Sequence, residues 1–404
     1  MDRLSSTLER ERAPLTAHTG SSAGAPSGTP ATLGAGDSFA AALSYGDVTF
    51  ATIGTTALVC DDRAVAFGHQ LKWAGRTEMG ANAASTLGIV DNSEEGPYKL
   101  ATVKGLAGTV DQDRLAGLRA LLDEMPEVIP VISVTNAENT GLSQRGKSYA
   151  VLDRIVPSLA FYHFIGHVDS TFDQITGGSS SVFFRIKGET EDGTSFEVER
   201  DNLYSTHEDI SIASAHELER TLWTLFTQPF EEIDFTRVKV KSSFSEDRTD
   251  LKVREVRVSV NGSRFRGERE YEVEGGDELD LRVRVRDPDR NISNIDMHLE
   301  VPEGTRGGGS IEVSGMQEGS DDGLSCFFDG DICKARIPKG VDSFGEVIEF
   351  LDARPENNVL TARLREGRRT IDSDEVVVGG PVSGFGYVSL DYPGRDGGGV
   401  VFSE

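Results

Sequence analysis

The sequence predicts a mainly β protein with some helix, and three observations predict it. Short apolar runs recur along the chain and are cut by glycine and aspartate turns. The 45 glycines and the low aromatic content of 7% favour many short strands over long packed helices. Clear helical spacing appears in only two places, Ala213 to Gln228 and Ser343 to Ala353. A chain of 404 residues holds about two to four domains, and its 37% hydrophobic content is enough for real cores.

The elements follow in order. Residues Met1 to Thr32 are rich in Ser, Gly, Ala, Thr and Pro and read as disordered. From Leu33 to about residue 135 strands dominate: Phe39 to Leu43, Val48 to Ile53, Ala57 to Cys60 and Ala64 to Phe67, separated by Gly and Asp turns. Leu115, Leu118, Leu121 and Leu122 fit a short helix or a loop. Val128 to Val134 reads as a strand with its proline at an edge, and Ser148 to Ile155 as another. Leu159 to Val168 is apolar and ambiguous. Ser179-Ser180-Ser181 reads as a loop entering the strand Val182 to Ile186, which pairs with Ser195 to Val198 around Asp192-Gly193. Residues 136–234 therefore form an α/β continuation. In its helix Ser211 or Ser214 caps, Glu217 stands at capping-box spacing from Ser214, and Pro229 stops the helix.

Residues 235–305 alternate strictly, most clearly where Leu279, Leu281, Val283 and Val285 interleave with Asp280, Arg282, Arg284 and Arg286. With turns at Asn261-Gly262 and Gly275-Gly276 this is a small antiparallel sandwich. Residues 306–404 read as a small α+β domain after the Arg306-Gly307-Gly308-Gly309 boundary, with a helix placing Phe344, Val347, Ile348 and Leu351 inward.

Composition removes whole classes of function. A net charge of −26 argues against nucleic acid, which needs a basic face to release counterions, and against an anionic membrane surface. No run of about 18 apolar residues exists, so no membrane span is expected. The first residues lack the apolar core of a signal peptide. Cys326 and Cys333 flank a turn and could close a small disulfide loop, while Cys60 reads as a buried, inert thiol.

The most informative segment is Ala64-Val65-Ala66-Phe67-Gly68-His69. An apolar strand ends in a glycine that delivers one histidine to an exposed strand end, where general-base chemistry is done. Tyr98-Lys99-Leu100-Ala101-Thr102, Gly108-Thr109-Val110 and Gln112-Asp113-Arg114-Leu115-Ala116-Gly117 follow it. On these elements the stretch from Leu33 to Ser133 resembles the SpoIVB-type serine peptidases of sporulation and their secreted relatives. The resemblance implies a trypsin-like, SpoIVB-like β-rich domain, with His69 as general base and Gly68, Asp113 and Arg114 supporting it. It also implies a peptide or protein substrate, no cofactor, and a place outside the cell or in its envelope. The family's Gly-x-Ser-Gly-Ser-Pro nucleophile turn is absent; the nearest string, Pro26-Ser27-Gly28-Thr29-Pro30, has Thr where the family has its second Ser. The acidic triad member travels with that missing half and is not carried over. A serine peptidase that is incomplete or inactive as this chain is therefore expected, the alternative being a non-catalytic binding or scaffold protein of the envelope. A missing signal peptide leaves two readings: a start lying further upstream, or a cytoplasmic homologue.

Other candidates have plainer readings. His163 and His167, four apart with Asp169 and Asp173 nearby, share a helix face and could bind zinc, but two ligands rarely make a site. They read as partly buried histidines among aromatics, and no metal is expected. Asp321, Asp322, Asp329 and Asp331 lack calcium-loop spacing and read as an acidic loop. Asp113-Arg114 reads as an ion pair or a turn lock, and the Arg282, Arg284 and Arg286 stripe as a solvated strand face.

Overall fold

The computed structural model describes residues 16–19, 31–91, 97–305, 307–315 and 337–392. The possible nucleophile at 26–30, the Cys326–Cys333 pair and the acidic residues 321–331 lie outside them. Small inward-facing residues allow the first strands to curl tightly. Strands β1 (Thr16–Thr19), β2 (Ser38–Gly46), β3 (Val48–Cys60), β4 (Arg63–Ala66), β5 (Gly75–Val90), β6 (Tyr98–Arg114) and β7 (Gly117–Leu121) are all antiparallel to their neighbours. The order β2-β3-β4-β7-β6-β5 returns to β2, so six strands close a barrel. Its interior is packed by Phe39, Ala41, Ala64, Ala66, Met79, Ala81, Val110, Leu118 and Ala120.

The segment after Arg114 is strand, not helix. Leu115 is exposed in the turn, while Leu118 and Ala120 alternate into the barrel, a period of two where a helical period also fitted. Within the tract expected to be disordered, Thr16–Thr19 pairs with β3 as β1. Cys60 is exposed, because β3 runs past its last inward residue before turning into β4.

Strand β2 is shared. Up to Ala42 it pairs with β5; a bulge follows, and from Ser44 it pairs with β9. There a second sheet begins, ordered β2-β9-β8-β12-β10-β11, from β8 (Ile129–Ala137), β9 (Leu142–Ala150), β10 (Gly178–Thr190), β11 (Ser195–Thr206) and β12 (Ile233–Ser245). β8 is interior rather than an edge; its Pro130 precedes Val131, the first residue paired with β12. Ser179 to Ser181 lie within β10, paired on both sides, and not in a loop.

Helices α1 (Val156–Phe172) and α2 (Ile210–Thr227) cover one face of this sheet. Pro157 opens α1, where its missing N–H costs nothing, and Asp173 in the left-handed region ends it. The cap of α2 is Asp209, whose carboxylate accepts from Ser211 N, rather than Ser211 or Ser214. Glu217 faces inward instead of capping. Its carboxylate accepts from Arg200 Nε at 2.8 Å and Asn202 Nδ2 at 2.7 Å, and from Tyr204 Oη. Burial would raise its pKa, but Arg200 and these donors hold it below the ordinary glutamate value.

The C-terminal half divides differently from the expectation. β12 belongs to the helix-backed sheet. The sandwich is built from both later segments. One sheet, β16-β15-β13-β20, uses β13 (Leu251–Val260), β15 (Glu278–Arg286), β16 (Ile292–Glu300) and β20 (Val382–Ser383). The other, β14-β21-β17-β18-β19, uses β14 (Glu270–Glu272), β17 (Gly307–Gly315), β18 (Val359–Glu366), β19 (Arg369–Val377) and β21 (Phe385–Tyr392). Leu281, Val283, Leu299, Ile311, Leu360 and Leu390 fill the space between them. The edge of β16 is covered: His298 N and Glu300 N donate to Asp374 and Asp372 of β19 at 2.8 and 2.7 Å.

Helix α3 (Phe344–Asp352), capped by Ser343, leaves the sandwich and buries Phe344, Val347 and Leu351 in the first core. The chain after it is held to β11 and α2: Arg200 Nη2 of β11 donates to Pro355 O at 2.6 Å, and Arg354 Nη2 to Thr221 Oγ1 of α2 at 2.7 Å. Arg200 and Glu217 have side chains only 8% exposed, so removing one partner leaves an uncompensated charge. Glu217→Gln is predicted to lower unfolding stability by about 3–5 kcal/mol in urea titration; a loss below about 1 kcal/mol would contradict that role.

Candidate functional site

The barrel brings His69 to one open end. β4 stops at Ala66, and the chain then makes a turn of unusual backbone: Phe67, Gly68, Trp73 and Gly75 have φ of 74°, 78°, 56° and 78°. Two of these are not glycine, and each left-handed non-glycine residue costs about 1–2 kcal/mol. Phe67 adopts it because its ring seats over Gly54, where a Cβ would stand 2.5 Å from Cδ2, and meets the edge of Phe39. The His69 ring is exposed, edge-on to Phe67, and its Nδ1–H donates to the Gln70 carbonyl at 2.7 Å. That bond puts the proton on Nδ1 and leaves Nε2 as the basic nitrogen. Among the described residues no serine or threonine hydroxyl is hydrogen-bonded to the ring.

The structure brings Asp113 and Gly68 to the same end but gives Asp113 a different neighbour. Its buried carboxylate accepts from Leu71 N at 2.9 Å, Lys72 N at 2.7 Å and Ala74 N at 3.2 Å. Burial opposes ionisation, yet these amides hold the group below the ordinary aspartate value. Asp113 is a turn lock and not the partner of Arg114, whose Nε donates to Gln112 Oε1 at 3.1 Å. Gly117 sits against Gly68, so the β6–β7 turn borders the His69 loop.

A second constellation lies between the barrel and α1. His163, fully buried, is held by two serines: Ser148 Oγ at 2.9 Å from Nδ1 and Ser133 Oγ at 3.0 Å from Nε2. Val48 N also donates to Ser148 Oγ at 3.0 Å. One turn on, His167 Nε2 donates to Asp47 Oδ2 at 3.0 Å. Lys147 N donates to the same oxygen at 2.5 Å. Gly146 makes this approach possible, since a Cβ there would stand 1.7 Å from His167 Nε2. Burial would raise the Asp47 pKa, but His167 and the Lys147 amide bring it below the ordinary value.

The nearby acid is thus Asp47, from the β2–β3 turn, and not Asp169 or Asp173. Asp47, His163 and His167 offer ligand atoms within 4.8 Å of one another. Both His163 nitrogens are engaged by serines. These groups form a hydrogen-bond hub joining α1 to β2, β3, β8 and β9. Serine, histidine and aspartate meet here, but Ser133 and Ser148 are fully buried and no substrate reaches them.

Comparison with family models, with curated proteins and with solved structures returns no match.

Two predictions follow the geometry. Burial, and secondarily His167, lowers the His163 pKa from 6.5 to about 3. Between those values the unfolded chain binds a proton that the folded chain does not, so this contribution to stability is lost as pH falls below about 6.5. In His163→Gln, which keeps donors and acceptors for both serines, the fall in stability between about pH 6.5 and 4.5 should shrink, by up to about 1.4 kcal/mol per pH unit. An unchanged slope in chemical denaturation would count against the neutral hub. Asp113→Ala should cost about 1–3 kcal/mol and lower the emission anisotropy of exposed Trp73 as its loop loosens; unaltered anisotropy would show that the carboxylate does not hold the loop.

Proposed function

We propose that this chain is a SpoIVB-type peptidase homologue that acts through binding and does not hydrolyse peptides. The observation that carries the reading is the setting of His69. Its ring stands in the open at a barrel end, yet no hydroxyl is hydrogen-bonded to it among the described residues. A general base without a nucleophile within about 3 Å has nothing to activate. The acid beside it is spent on backbone amides. What the barrel end retains is a rigid, exposed loop with a tryptophan at its tip, which suits recognition of a peptide or protein.

One observation favours the catalytic alternative. The Nδ1–H bond to Gln70 O fixes the tautomer that a general base requires, so a serine supplied by another segment or chain would complete the site. A fluorophosphonate probe separates the two. The full chain is predicted to remain unlabelled, like its His69→Ala variant; labelling that disappears in His69→Ala would overturn the binding reading.

A further inference from the structure

The loop that carries His69 also gathers positive charge on an acidic protein. Lys72, Arg76 and Arg114 are all exposed. Arg76 pairs across the ladder with Gln112, which accepts from Arg114, and the Arg114 Nη1 lies 3.7 Å from where a Cβ of Gly75 would stand. Arg76 and Arg114 therefore border one another, and Lys72 and His69 stand in the loop between β4 and β5 that leads into Arg76. Among the described residues, none of the three side chains has a carboxylate partner.

Two of the local acids are occupied elsewhere: Asp111 is paired with Arg119 and Asp113 is buried on the loop amides, while exposed Glu78 follows Arg76 by two residues on β5. In the same patch Trp73 is 65% exposed and Leu115 62% exposed. Trp73 keeps this exposure while held in a left-handed backbone that its side chain disfavours. Folding alone gains nothing from a large indole in that position.

We propose that this barrel end binds an acidic peptide segment bearing an aromatic or large apolar side chain, the carboxylates meeting Lys72, Arg76 and Arg114 and the apolar group stacking on Trp73. The charge balance selects the partner. A nucleic acid or an anionic membrane presents dense negative charge over a wide area, and a chain of net charge −26 repels it as a whole. A short acidic segment meets only the patch, because charges beyond about 8 Å are screened at physiological salt. Aromatic and cationic side chains together are what such contacts use.

The inference rests on the binding reading of the same barrel end, and the two fail separately: the fluorophosphonate probe tests catalysis, peptide anisotropy tests the patch. The probe peptide is fluorescein-labelled and alternates glutamate with phenylalanine. Two control peptides carry lysine for glutamate or alanine for phenylalanine. The full chain should bind the acidic aromatic peptide saturably and quench Trp73 emission, Trp223 being buried. Both control peptides should bind at least about tenfold more weakly. The variant Lys72→Glu/Arg76→Glu/Arg114→Glu should lose about tenfold or more in affinity with unchanged thermal stability. Trp73→Gly, which suits the backbone better, should keep or raise stability while losing the same affinity. Failure of the full chain to bind, equal binding of the lysine peptide, or unchanged affinity in either variant would overturn the proposal.

Discussion

The buried carboxylate of Asp113 holds the turn from Phe67 to Gly75 in a shape it would not adopt alone. Two non-glycine residues in the turn carry positive φ, while Phe67 and Leu71 of the loop pack against the barrel core. Charge-assisted bonds from three amide donors of the loop are each worth about 1.5–3 kcal/mol, enough to offset strain of that size. Asp113 reaches them because it ends an antiparallel pairing in which Gly75 lies directly opposite. Barrel closure, turn geometry and the display of His69 and Trp73 are thus one arrangement.

Barrel and helix-backed sheet are not independent either. β2 serves both, changing partner at a single bulge, and the His163 hub packs where it crosses over. At the other side, Arg200 and Glu217 clamp the chain leaving α3, so the sandwich is tied to the sheet by buried charge as well as by covalent continuity. Buried groups of this kind favour one arrangement because every alternative leaves a charge or a polar atom without a partner.

Much of the fold was legible. Alternation marked the strands, and local turn chemistry such as Asn261-Gly262 and Asp192-Gly193 marked their reversals. The failures have physical causes. Leu115, Leu118 and Leu122 satisfy a helical spacing by coincidence, and only the ladder with β6 makes Gly117–Leu121 a strand. β12 alternates like the sandwich strands that follow it, and no local signal says that its partners are β8 and β10. The last segment divides between two cores, a long-range choice made by where Phe344 and Leu360 find apolar surface.

For the candidate sites the division is similar. The Gly-His turn and the Asp113 lock could be read from neighbouring residues, as could the shared helix face of His163 and His167. Asp47, Ser133 and Ser148 could not, because they reach that face from remote strands; Gly146, the residue that makes room for His167, gave the one faint signal. The most direct test of the account is amide hydrogen exchange at Leu71, Lys72 and Ala74 in the intact chain. If the Asp113 carboxylate fixes this exposed loop, those three amides exchange about a hundredfold or more slower than unstructured peptide. Exchange at the free-peptide rate would mean that the loop is not held, and that the display built on it does not exist.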